Sequence, residues 1–120
     1  MKKKILLLED SLNDQISLRR CLKDTDIPFT LISCDSKNTF VGYLHNMHPD
    51  LIILDYNVPG FAFNEAFKLA RDFYDTVPII YITGLISKEL AEETILVEAN
   101  DYLLKEELNK LPELIKKYCK

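Results

Sequence analysis

Leu51-Ile52-Ile53-Leu54-Asp55-Tyr56-Asn57-Val58-Pro59-Gly60 is the stretch that decides the fold. Its four successive apolar residues, Leu51 to Leu54, leave no polar face, which suits a strand covered on both sides of a sheet. The run stops at a carboxylate, Asp55, and soon reaches Pro59-Gly60, a strong turn signal. A buried parallel strand ending in aspartate delivers that group to the carboxyl edge of an α/β sheet, where ligands collect in open α/β folds. Taken alone, Asp55 also reads as an ordinary residue marking where a strand meets water, since Asp is common in turns. The segments on either side decide between the two.

Working outward, Lys4 to Leu8 (KILLL) predicts a short apolar strand that ends in Glu9-Asp10-Ser11, an acidic cluster and helix N-cap together. Leu12, Ile16, Arg19 and Leu22 recur at helical spacing and predict an amphipathic helix to about Asp24, broken by Asp26-Ile27-Pro28. Phe29 to Cys34 reads as a strand. Asp35-Ser36 caps a second helix with Phe40, Leu44 and Met47 inward, and Pro49-Asp50 ends it. Beyond Gly60, the residues Phe63, Ala66, Phe67, Ala70, Phe73 and Tyr74 follow the i, i+3, i+4, i+7 rule of an amphipathic helix.

Pro78 to Ile82 (PIIYI) is a further buried strand, ending in Thr83-Gly84. A helix from about Ser87 to Val97 is expected to carry Leu90, Thr94 and Val97 inward, with Ala91 and Ile95 flanking. Asp101 to Leu104 forms a fifth short strand that ends at Lys105. The last helix is expected to start near Asn109 as N-cap, with Pro112 in its first turn, where a missing N–H does least harm. Leu111, Ile115 and Tyr118 would face the core. Strands alternating with helices imply an α/β fold of the flavodoxin-like (βα)5 kind, a three-layer sandwich. Its parallel five-stranded sheet takes the order 2-1-3-4-5.

The 120 residues, 48% apolar and 28% charged, suit one globular domain over 1–120. A net charge of −4 without a basic stripe argues against direct nucleic-acid binding. No apolar run approaches the about 20 residues of a membrane span, and the N-terminus lacks a signal-peptide apolar segment, so a cytoplasmic location is expected. The three cysteines, Cys21, Cys34 and Cys119, lack metal-ligand spacing and read as reduced thiols. His45 and His48 have no matching Cys or second His pair and read as surface or satisfied histidines.

Four of the five strand ends carry a functional side chain: Glu9 and Asp10, then Asp55, Thr83 and Lys105. In the order 2-1-3-4-5 the first and third strands are neighbours across the switch point, so Glu9, Asp10 and Asp55 should converge. Crowded carboxylates repel unless a cation joins them, and hard oxygen ligands select Mg2+, with Mn2+ able to substitute. A cation, a hydroxyl and an ammonium around one free carboxylate describe a phosphoryl-transfer site with Asp55 as nucleophile. The metal, Thr83 and Lys105 would take charge on the transferred oxygens. Singly, each of these residues is also readable as a cap, a solvated lysine or an ordinary helix start.

These segments together resemble the receiver domain of two-component response regulators over essentially the whole chain. The matching pieces are KILLLEDS, DLIILDYNVPG, VPIIYITG and ANDYLLK, with 45 residues from Asp10 to Asp55, 28 to Thr83 and 22 to Lys105. The resemblance implies that Asp55 is the phosphoacceptor and that Glu9, Asp10 and Asp55 are metal carboxylates. It implies that Asn57 offers its backbone carbonyl to the metal, and that Gly84 leaves phosphoryl access open. Tyr102 matches the family's switch aromatic, turning inward as Thr83 moves toward the phosphoryl group and altering the surface of helix four, strand five and helix five.

The implied partners are a histidine kinase or histidine phosphotransfer protein upstream, and a downstream protein target or fused signalling module. A homodimer through the helix 4–strand 5–helix 5 face is a further expectation, and no external metabolite is turned over. Three departures stand out: Glu106 where the family often has Pro, the apolar Phe61-Ala62-Phe63 after Gly60, and Glu98 where Gly is usual. The NKLPELI stretch, Asn109 to Ile115, resembles receivers joined to sensor kinases, so a piece of a longer protein is as compatible as a single-domain regulator. Phosphoryl lifetime would depend on water access past Asn57 and Leu85.

Competing readings make different demands. A receiver-like scaffold that binds partners without phosphorylation would be favoured by loss of an acidic residue or Lys105, and none is lost. A flavin-binding domain of this architecture needs a hydroxyl- and Gly-rich phosphate loop after strand one, where EDSLND is acidic. A phosphatase-type hydrolase usually has a second Asp two residues after the nucleophile, where Asn57 stands.

Overall fold

The structure, a computed structural model, describes residues 2–62, 64–84, 88–95 and 98–119. Five strands form one parallel sheet: β1 (Lys3–Leu8), β2 (Phe29–Cys34), β3 (Leu51–Asp55), β4 (Ile79–Thr83) and β5 (Asp101–Leu104). Their order is β2-β1-β3-β4-β5, as the alternation predicts. The helices among the described residues are α1 (Leu12–Leu22), α2 (Lys37–Met47), α3 (Glu65–Phe73), α4 (Lys88–Thr94) and α5 (Leu111–Tyr118). A 3-10 turn over Lys105–Lys110 joins β5 to α5.

The sheet divides the core in two, and the strand period of two residues decides which side each side chain serves. Ile5, Leu7, Ile53, Ile80 and Ile82 pack with Leu18 and Leu22 of α1 and Leu111 and Ile115 of α5. The alternate residues Leu6, Leu8, Ile52, Leu54 and Tyr81 pack with Phe40 and Leu44 of α2 and Phe67 and Ala70 of α3. Every residue of β3 and β4 is buried, which explains why both run apolar up to their terminal Asp55 and Thr83. The register pairs Leu8 with Leu54 and Asp55 with Ile82, so β1, β3 and β4 end side by side at one edge.

Ser11 and Ser36 cap α1 and α2 as expected, accepting from the backbone N–H of Asp14 and Thr39. Three details differ from the sequence reading. Helix α1 turns Leu18 and Leu22 inward, while Leu12 and Ile16 are 67% and 43% exposed. At 100° per residue, Gln15 and not Ile16 lies in line with Leu22, so the inner side of the first turns is polar. In α4, Leu90 does not face inward as its spacing predicts, and is 48% exposed. Ile95, about 140° further round, takes the fully buried place just past the helix end.

The last helix starts after Lys110, and Asn109 lies within the preceding 3-10 turn and is not its cap. The turn feeds directly into α5, and the Leu111 N–H bonds to the Leu108 carbonyl, so the helix begins without a side-chain cap. Pro112 lies in the first turn, as the sequence predicts. Phe63, Leu85, Ser87 and Val97, which the sequence sets on helices or near the site, lie outside the described residues, as do the side chains of Ala91 and Thr94. None of the described helices is long and apolar enough to cross a membrane.

Candidate phosphoacceptor site

At the carboxyl edge the strands deliver their acidic ends together. Carboxylate oxygens of Glu9, Asp10 and Asp55 lie within 4.8 Å of one another. Glu9 and Asp55 are buried and Asp10 is exposed, so the cluster opens to solvent on one side. The Asp55 Oδ1 accepts the Asn57 N–H at 3.1 Å, an Asx turn that fixes the carboxylate relative to the chain leaving β3. Glu9 Oε2 accepts the Ser11 N–H at 3.1 Å, and the Gln15 amide donates to the Glu9 carbonyl at 2.7 Å. The first turn of α1 is thus tied to the end of β1.

Lys105, first residue after β5, reaches across the cluster. Its Nζ lies 2.7 Å from Asp14 Oδ2, 3.0 Å from Glu9 Oε1 and 3.2 Å from Asp55 Oδ2. Burial works against the Lys105 charge, but the hydrogen bonds to Asp14 and Glu9 and the nearby Asp55 outweigh it and push its pKa up. Burial, then the hydrogen bond with Asp55, pushes the Glu9 carboxyl up to about 7. Glu9 Oε1 is buried, and the Lys105 ammonium at 3.0 Å is the charge that meets it.

The buried Glu9 carboxylate, beside those of Asp10 and Asp55, makes a donor set suited to a cation. Hard oxygen donors of this kind fit Mg2+ or Mn2+, and the exposed Asp10 leaves a route for entry.

Thr83 ends β4, is buried, and pairs with Leu104 one residue before Lys105. Because Asp55 pairs with Ile82, Thr83 stands one position further along the neighbouring strand. Tyr102 pairs with Tyr81 and is half-buried against the α2–α3 side of the core. Gly84 is exposed, and a Cβ there would meet nothing within 4 Å among the described residues. Beside Asp55, a cleft of about 490 Å³ runs over Tyr56, Asn57, Phe61 and Tyr81. Glu106, one of the departures, lies in the 3-10 turn. Another, Glu98, accepts from the Asn64 side chain at 2.7 Å, linking the start of α3 to the segment before β5.

The structure thus gathers Glu9, Asp10, Asp55 and Lys105, and sets Thr83 on the adjacent strand. One member escapes the sequence reading: Asp14, whose carboxylate makes the shortest contact with Lys105. Its signal lies in its position, four residues before the buried Leu18 and therefore toward the inner side of α1.

Residues 5–117 match the model of the response regulator receiver domain. The chain belongs to that family. It is 30% identical over 104 residues to the transcriptional regulatory protein YdfI of Bacillus subtilis, a match covering 86% of this chain and 48% of that protein. The chain therefore spans about half the length of that relative. Among solved structures it is similar to the phosphorylated cyanobacterial phytochrome response regulator RcpA, with a TM-score of 0.81, 20% identity, and coverage of 99% and 95% of the two chains. It is equally similar to the receiver domain of the sensor histidine kinase PA1611 of Pseudomonas aeruginosa, determined with magnesium in its active-site cleft. There the TM-score is 0.81, the identity 22%, and 98% of each chain is covered. At these identities the structures attest the fold.

Proposed function

We propose that residues 1–120 act as one phosphoacceptor domain in a two-component phosphorelay, with Asp55 accepting the phosphoryl group. The observation that carries this reading is Lys105, whose ammonium touches both Asp55 and Glu9 inside a three-carboxylate cluster. The donor is a phosphohistidine of a kinase or phosphotransfer protein. Its N–P bond breaks as an Asp55 oxygen bonds to phosphorus, and the imidazole leaves. Lys105 turns from the carboxylates to a phosphoryl oxygen, and the Thr83 hydroxyl donates to another. Hydrolysis returns Asp55 when water attacks phosphorus.

Glu9, Asp10, Asp55 and the Asn57 carbonyl would hold Mg2+, which supplies charge neutralisation for the transferred oxygens when bound. The magnesium ion in the cleft of the PA1611 receiver domain and the phosphorylated state of RcpA support this reading by similarity of fold. Tyr102, half-buried and paired with Tyr81 two residues before Thr83, would follow movement of Thr83 and bias two arrangements of the α4–β5–α5 surface. That surface would meet a downstream target, a fused module or a second copy of the chain, in the cytoplasm.

The test is intact mass after incubation with acetyl phosphate. One phosphoryl group should be gained by the wild type with Mg2+, and none without Mg2+ or by Asp55→Asn. A wild type that gains nothing would shift the reading to a scaffold that binds partners without phosphorylation.

A further inference from the structure

Ser11-x-x-Asp14 has the spacing of a capping box, in which the residue at the third helical position bonds back to the N-cap N–H. Here only half the box is made. Ser11 Oγ accepts the Asp14 N–H at 3.3 Å, but the Ser11 N–H goes to Glu9 Oε2. The Asp14 carboxylate is released from capping and points to Lys105, where it makes the shortest of the three ammonium contacts. Asp14 is also 35% exposed and stands outside the Glu9–Asp10–Asp55 cluster, so a cation there would leave it free.

We infer that Asp14 is a positioning residue that acts through Lys105, a resting anchor that receives the ammonium when a divalent cation claims Glu9 and Asp55. An ammonium has three protons to satisfy, and in this structure three carboxylates share them. A metal ion entering the cluster takes two of those partners. With Asp14 present, Lys105 keeps a charged partner beside the site and competes less for Glu9 and Asp55. From that position it reaches a phosphoryl oxygen, so the inference rests on the phosphoacceptor reading for its purpose but not for its measurement.

The experiment is a double-mutant cycle on the whole chain: wild type, Asp14→Asn, Lys105→Met and the pair. Thermal unfolding without metal measures the contact itself, and Mg2+ titration followed by tyrosine fluorescence or calorimetry measures the hand-over. The two single losses in Tm should sum to more than the loss of the pair. Asp14→Asn should weaken Mg2+ by roughly threefold more with Lys105 present than in the Lys105→Met background, the scale of coupling between contacting charges. Equal weakening in both backgrounds would mean that Asp14 acts only through its charge at a distance, and would overturn the inference. So would additive Tm shifts, or a wild type that binds no Mg2+. Failure of the phosphoacceptor reading shows separately, as a wild type that binds Mg2+ and takes no phosphoryl from acetyl phosphate.

Discussion

Glu9 is fully buried between a lysine that favours its charge and an aspartate that opposes it. Its pKa, raised from 4.5 to about 7, gives a definite pH dependence. A carboxyl raised on folding stabilises the native state below its unfolded value and loses that contribution as pH rises through the folded value. Metal-free protein should therefore lose stability from this group between about pH 4.5 and 7. Mg2+ needs the ionised form, so its affinity should rise from pH 6 to 8, and Mg2+ binding near pH 6.5 should release a proton. Calorimetric titrations in buffers of different ionisation enthalpy would detect that proton. Glu9→Gln should flatten the pH dependence of unfolding in this range and weaken Mg2+. An unchanged pH profile in that variant would show that another group titrates.

Among the elements that build the site, β3 supplies Asp55 and α1 supplies Asp14. Ile53 is fully buried at the centre of β3, and Ile53→Ala should cost about 2–5 kcal/mol through lost burial and a cavity. Ser11→Ala removes the side-chain half of the α1 cap and should cost about 1 kcal/mol. Urea unfolding of each variant checks both. These two elements also differ in how far their residues disclose them. The apolar run Leu51 to Leu54 and its terminal Asp55 need no tertiary information, because a strand buried on both faces has only one composition. Helix α1 does need it. Counting apolar residues puts Leu12 and Ile16 inward, whereas the helix covers a polar site and turns Gln15 toward it. Asp14 is hidden for the same reason, since a polar residue on an inner face has no hydrophobic signature. The start of α5 is misplaced from sequence because a 3-10 turn satisfies its first N–H groups without the cap that marks a helix start.

Across the whole molecule, the sheet order brings the pair 9 and 10 to one edge with residues 55, 83 and 105, which are far from it in sequence. Any cation bound there ties β1 to β3, and ligand binding to the native state alone raises stability by mass action. Mg2+ at about 100 times its Kd should stabilise the chain by about 2.7 kcal/mol, seen as a rise in Tm. Asp55→Asn should reduce that rise. Phosphorylation is expected to alter self-association or partner affinity through α4, β5 and α5. Sedimentation velocity with and without beryllofluoride, an analogue of the phosphoryl group, checks this, and identical profiles together with unchanged partner binding would refute it.

Asp55, and no other carboxylate of the cluster, is expected to carry the phosphoryl group. Borohydride reduction of phosphorylated protein converts an aspartyl phosphate to homoserine, and peptide sequencing by mass spectrometry then locates it. Homoserine should appear at position 55, dependent on Mg2+ during phosphorylation. Reduction at Asp10, or at Asp14, with Asp55 intact would contradict the assignment.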